Sequence, residues 1–125
     1  MTLQLANIST PIGKLYLLAD EQVLLGASFN PIKNREAKEV SKLSAITDLI
    51  SDYFDGDIAA INGIKVSQPG PTFSQAAWKA MRKAKGAITY ADLARRAGSP
   101  AAVRAAGSAC ANNAIVLVVP CHRVI

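Results

Sequence analysis

"TYADLARRAGSPAAVRAAGSACA", residues 89 to 111, decides how the second half of this 125-residue chain folds. Thr89 is placed to cap a helix, with Asp92 three residues on in the capping-box position. Tyr90, Leu93, Ala94 and Ala97 fall on one apolar stripe at helical spacing, and Gly98 stands where a C′ glycine closes a helix. Ser99 then reads as the cap of a second helix. Pro100 sits in its first turn, where a missing N–H costs nothing. "AAVRAAGSACA" continues that helix, and two short helices joined by a glycine turn make a helix-turn-helix.

The second helix is a poor reader of base sequence. Discrimination in the major groove needs several long polar side chains aimed at base edges, and Arg104 is the only one here. Its small side chains instead permit close backbone approach to a sugar-phosphate surface, with Arg104 free to enter a groove or the base stack. The bland reading is that alanine and glycine merely let two helices pack closely. Charge favours the first. Up to Thr72 the chain carries 6 basic and 8 acidic residues; from Phe73 onward 8 basic residues face Asp92 alone. Such a split suits a polyanionic partner, although a solvated basic face would look the same.

Working outward, Ser74 to Lys85 reads as a helix with Ala77, Trp78 and Met81 inward, and Gly86 ends it. "SQPGPT", residues 67 to 72, reads as a connecting segment. Further upstream "LQLANI" and "KLYLLA" flank the turn-like "STPIG", and "VLLGASF" follows "DEQ", which predicts an antiparallel meander. Arg35 to Phe54 shows helical spacing at Val40, Leu43, Ile46, Leu49, Ile50 and Phe54, ended by Gly56. At the other end "IVLVV", residues 115 to 119, reads as a buried strand or buried extended segment. Pro120 stops it.

Cys121 and His122, the one histidine, follow that stop. A cysteine attacks only as thiolate, so its free pKa of about 8.5 must be lowered by positive charge, a helix N-terminus or a base. His122 is a candidate base and Arg123 adds fixed charge. On an extended segment the neighbouring side chains face apart, so contact requires a local turn or a bridging water. The alternatives are an inert buried cysteine and a metal site. A metal would recruit Cys110, Cys121 and His122, but that spacing matches no usual zinc pattern and a fourth ligand is missing. Cys110 reads as a small packing residue.

Composition bounds the rest. Half the residues are apolar and 18% are charged, a soluble globular balance. The apolar run 114–120 is too short to span a bilayer, and the N-terminus lacks the features of a secretory signal. Two cysteines are too few for a disulfide framework, so a reducing, cytoplasmic setting is expected.

"PCHRVI", residues 120 to 125, resembles the acceptor motif of the O6-alkylguanine-DNA alkyltransferases, the methylated-DNA–protein-cysteine methyltransferases. "FSQAAWKAM" resembles the helix that opens that family's active-site domain. "ITYADLARRAG" and "SPAAVRAAGSACANN" resemble its helix-turn-helix and asparagine hinge. "STPIGKLYL" and "YFDGD" resemble parts of its first domain. The resemblance implies an α+β chain. An N-terminal antiparallel-sheet plus helix domain, RNase H-like, covers 1–68 and a linker covers 69–72. A mostly helical, winged-helix-like DNA-binding and alkyl-acceptor domain covers 73–125.

The resemblance also implies roles. Cys121 is the nucleophile, His122 its general base through a water, and Asn113 the hinge residue ordering the active-site turn. Tyr90 crowds the target phosphate and offers its hydroxyl to the base. Arg104 fills the hole left by the flipped nucleotide, and Ala91, Ser99 and Arg123 complete the DNA-facing set. The implied partner is double-stranded DNA carrying alkylated guanine, met without sequence specificity by a monomer that uses no cofactor and no membrane. The implied reaction is irreversible, stoichiometric alkyl transfer to Cys121 from O6-alkylguanine, with O4-alkylthymine as a second candidate substrate. The reading from a different class is a non-catalytic module that binds alkylated bases; a helix-turn-helix regulator is a third. Three departures stand out. "KAKGAITY" lacks the family's Pro-aromatic pair before Gly86, and Ala114 replaces a proline after Asn113. The chain also reads as truncated, ending before the Gly/Ser-rich loop and the glutamate-bearing helix.

Overall fold

Leu3–Thr10 (β1) and Gly13–Asp20 (β2) pair antiparallel across a two-residue turn in this computed structural model, which describes residues 2–125. The Thr10 hydroxyl pins the turn, donating to the Gly13 carbonyl at 2.6 Å and accepting from the Ile12 N–H at 3.2 Å. Val23–Ser28 (β3) pairs antiparallel with β2, completing the predicted meander. Alternation along β2 follows the two-residue period of a strand: Leu15, Leu17 and Ala19 are fully buried, while Lys14, Tyr16 and Leu18 are not. Each fully buried leucine contributes about 1.5–3 kcal/mol over an exposed one.

Two corrections apply here. The sheet is mixed, not purely antiparallel, because Lys38–Glu39 (β4) pairs parallel with β1 and Lys65–Val66 (β5) parallel with β3. The strand order is β4-β1-β2-β3-β5. The helix predicted from Arg35 spans only Ser44–Phe54 (α1). Before it, residues 35–36 make a turn, and β1 claims residues 38–40, with the Val40 N–H donating to the Leu5 carbonyl at 2.8 Å. Gly56, at φ 114, follows the helix end as expected. Ile46 and Ile50 are its buried face, and a 3-10 helix, Ile58–Gly63, adds Ala60 and Ile61 to the core.

The chain divides by internal contacts after Gln68, and Pro69–Ile125 forms the second compact unit. Within it, Thr72–Lys83 (α2), Tyr90–Arg96 (α3) and Val103–Ala111 (α4) pack on one another. Trp78 centres this core: it is 5% exposed, and its indole N–H donates to the Ala109 carbonyl of α4 at 2.8 Å. Gly70 lies against the same ring, where a Cβ would stand 2.6 Å from Cη2 and 2.9 Å from Cζ3. With the indole pinned at its nitrogen, Gly70→Ala is expected to destabilise the chain by about 1–3 kcal/mol through overpacking. Thermal unfolding checks this; an unchanged melting temperature would mean the ring can step aside.

The chain is therefore α+β, a mixed five-stranded sheet with helices. No helix among the described residues is long and apolar enough to cross a membrane.

Candidate active site

The helix-turn-helix forms for the reasons its sequence suggests, with one displacement. The Thr89 hydroxyl accepts from the Asp92 N–H at 3.0 Å, capping α3. Gly98, at φ 94, closes it: the Gly98 N–H reaches Arg95 and the Ser99 N–H reaches Ala94, both at 3.0 Å, the paired bonds of a Schellman ending. Leu93 and Ala94 are fully buried and Tyr90 is 38% exposed at the helix start. Ser99 does not cap α4. Its carbonyl accepts from Ala102 in a separate turn, and the helix begins at Val103 with Ala102 at the cap position and no side-chain cap bond.

On α4, Ala106 and Ala109 are the buried face, and Arg104 and Ser108 are exposed. Ala91 is exposed and Ser99 is half-buried. Asp92 does not bind back to its cap; its carboxylate takes Arg95 and, at 2.9 Å, Arg96. Those bonds, Arg95's first, hold its carboxyl below the usual range. Two of the eight basic residues counted in the sequence are thus tied to the one acid, which charge counting alone does not reveal.

The run 115–119 is buried as expected, apart from half-buried Val116, but is not extended. Its hydrogen bonds are those of successive turns: Val118 N–H to Val116 carbonyl at 2.8 Å, Val119 to Ile115 at 3.0 Å, and Cys121 to Val119 at 2.9 Å. Leu117 holds φ 72. Cys121–Arg123 is then a 3-10 turn, so the premise that Cys121 and His122 lie on an extended segment fails. No hydrogen bond joins the two side chains among the described residues.

Asn113 knits this segment to the end of α4. Its Nδ2 donates to the Val119 carbonyl at 2.8 Å, and its Oδ1 accepts the Ile115 N–H at 3.1 Å. The buried Ile115 N–H loses its acceptor without it, while the Val119 carbonyl keeps the Cys121 N–H, so Asn113→Ala is expected to cost about 1–3 kcal/mol. Denaturant titration measures it, and a loss below that range would show that water replaces the amide. Arg123 turns inward: its Nη1 donates to the Ala84 carbonyl at the end of α2, at 2.7 Å. Ile88 accepts from the Ile125 N–H and donates to the Arg123 carbonyl, each at 2.8 Å, so the cysteine turn is bonded to the residue just before the Thr89 cap. These bonds bring Cys121, His122, Arg123 and Asn113 into one cluster, with Tyr90 two residues from its clip. Arg104 stands apart on the exposed face of α4.

Burial, then the Arg123 charge, pushes the His122 imidazole below its ordinary value. The neutral ring therefore prevails at neutral pH, and only that form can accept a proton. Cys121 and Cys110 are both free and half-buried. Burial, then the charge of Cys121, pushes the Cys110 thiol up, which keeps it protonated and so a poor nucleophile.

A helix-turn-helix unit that presents a free cysteine on a bonded turn defines the class: a nucleic-acid-binding protein equipped for thiol chemistry. Residues 72–125 match the family model of the 6-O-methylguanine DNA methyltransferase DNA-binding domain. The chain is 33% identical over 136 residues to the methylated-DNA–protein-cysteine methyltransferase of Salmonella typhimurium, covering 95% of this chain and 80% of that protein. It is 34% identical over 128 residues to the constitutive enzyme of Bacillus subtilis, covering 93% and 76%. The crystal structure of Mycobacterium tuberculosis O6-methylguanine methyltransferase superposes with a TM-score of 0.83 at 28% identity, over 99% of this chain and 79% of that one. The same organism's protein solved in complex with DNA gives 0.83 at 29%, over 98% and 78%. This chain belongs to the methylated-DNA–protein-cysteine methyltransferase family.

Proposed function

We propose that this protein repairs DNA by direct reversal, moving the alkyl group of O6-alkylguanine irreversibly onto the Cys121 sulfur. The observation that carries the reading is the placement of Cys121: a free, half-buried thiol on a turn bonded through Ile88 to the start of a helix-turn-helix helix. A guanine O6 substituent is out of reach inside the duplex, so the nucleotide must be flipped out, and a poorly paired damaged base costs least to extrude. Neutral His122 takes the thiol proton through a water. The thiolate attacks the alkyl carbon, the new S–C bond forms as the C–O bond breaks, and the displaced guanine anion, still in the DNA strand, takes back the proton that His122 received. The thioether does not hydrolyse, so each molecule acts once.

The remaining roles follow. Asn113 orders the cysteine turn, Tyr90 crowds the target phosphate and meets the base, and Arg104 fills the vacated stack. Ala91 and Ser99 approach the backbone closely. Arg123 is bonded to Ala84 and serves the turn as well as the local charge. The small residues of α4 suit binding without sequence preference, driven by phosphates and therefore falling steeply with salt. The reading takes 1–68 as an RNase H-like domain, 69–72 as a linker and 73–125 as a winged-helix-like acceptor domain, in a monomer of the cytoplasm.

The test is intact mass with peptide mapping after incubation with a duplex bearing one O6-methylguanine. One methyl gained per molecule, on Cys121, is the expected result. Tight lesion-preferring binding with no gain would replace repair by damage reading.

A further inference from the structure

The segment leading to Cys121 contains a conformation that its residues do not favour. Leu117 is a non-glycine residue at φ 72 and only 8% exposed. The Val118 N–H bonds back to the Val116 carbonyl at 2.8 Å, closing a three-residue γ-turn with Leu117 at its centre. With positive φ at the centre, this is the rare and strained form of that turn. Pro120 centres a second such closure of the relaxed sort, at φ −83 and ψ 71, where Cys121 N–H meets the Val119 carbonyl. Strain of the first kind persists only where the surroundings over-determine it. Here they do: Ile115, Val118, Val119 and Pro120 around it are all buried.

The reversal changes where the nucleophile sits. Extended, residues 115–119 would carry Pro120 and Cys121 away from the end of α4 by about 3.3 Å per residue. Folded back at Leu117, the run returns the Val119 carbonyl to Asn113 Nδ2, at 2.8 Å, while the same oxygen accepts the Cys121 N–H at 2.9 Å. One carbonyl thus joins the hinge side chain to the acceptor residue. We propose that the strained γ-turn at Leu117 is a positioning device for alkyl transfer, holding the Val119 carbonyl where Asn113 and Cys121 share it and so fixing the thiol for attack. The inference rests on Cys121 being the acceptor.

Leu117→Ala and Leu117→Gly separate the backbone from the side chain, since both remove most of the buried leucine. In ordinary backbone, glycine is the less stable of the two; at positive φ the order reverses, because glycine bears no Cβ penalty. The glycine variant is expected to melt above the alanine variant. It is also expected to transfer methyl more slowly by about tenfold at saturating lesion duplex, with duplex affinity equal, because the turn is no longer held in one geometry. A merely structural residue would move stability and rate together. A volume-matched pair covers poor folding: Leu117→Met should track wild type, and Leu117→Ile, β-branched at positive φ, should lose both melting temperature and rate.

Alanine melting above glycine overturns the strain, glycine transferring as fast as alanine overturns its use, and isoleucine matching methionine overturns both. Wild-type protein that takes up no methyl overturns the acceptor assignment itself, and the positioning role with it.

Discussion

Cys121→Ser is expected to bind an O6-methylguanine duplex as tightly as wild type and to gain no methyl. The turn that carries residue 121 is held by main-chain bonds, its N–H to the Val119 carbonyl and its carbonyl from the Val124 N–H at 3.1 Å. Serine keeps both and differs from cysteine by one atom. What it loses is the accessible anion: a hydroxyl ionises far less readily than a thiol and is a far weaker nucleophile. Intact mass and duplex affinity, measured side by side, check the two halves of the expectation. Methyl appearing elsewhere in the serine variant would move the acceptor. Cys110 is the one other thiol, and its upward shift makes it the unfavourable choice.

Arg104→Ala should separate two substrates. Methyl transfer from duplex DNA is expected to fall by about tenfold to a hundredfold, whereas reaction with free O6-alkylguanine stays near wild type. Flipping a nucleotide costs a few kcal/mol, and a side chain that occupies the gap recovers part of it, each 1.4 kcal/mol being a factor of ten. Arg104 is exposed on α4, so its removal leaves the packing of Ala106 and Ala109 intact. Single-turnover rates on both substrates decide the matter. Equal losses would place Arg104 in the chemistry, and no loss on the duplex would remove it from the interface.

Local chemistry was legible and long-range bonding was not. The α3 ends could be read because Thr89, Asp92 and Gly98 act within a few residues of themselves. The start of α4 was placed three residues early because Ser99 and Pro100 look like a cap and a first turn. In the fold, the Ser99 N–H and carbonyl are already spent on the Schellman ending and the turn that follows. Two-residue strands such as β4 and β5 leave no periodic trace, and Val40 looked helical only until β1 claimed it. The apolar β-branched run 115–119 reads as extended, and nothing in its letters announces a left-handed leucine. Among the candidate site residues, Cys121, His122 and Arg123 were neighbours by necessity. The Asn113 anchor and the Arg123–Ala84 bond needed coordinates, since Ala84 lies 39 positions away.

The clip between Ile88 and the chain's last residues has a consequence for how the protein can change. Both bonds are main chain to main chain, so every amino acid but one can occupy position 88 without severing them. Proline alone, lacking the N–H, would cut half of the clip. The joint between the cysteine turn and the start of α3 is thus written in the peptide backbone rather than in side chains.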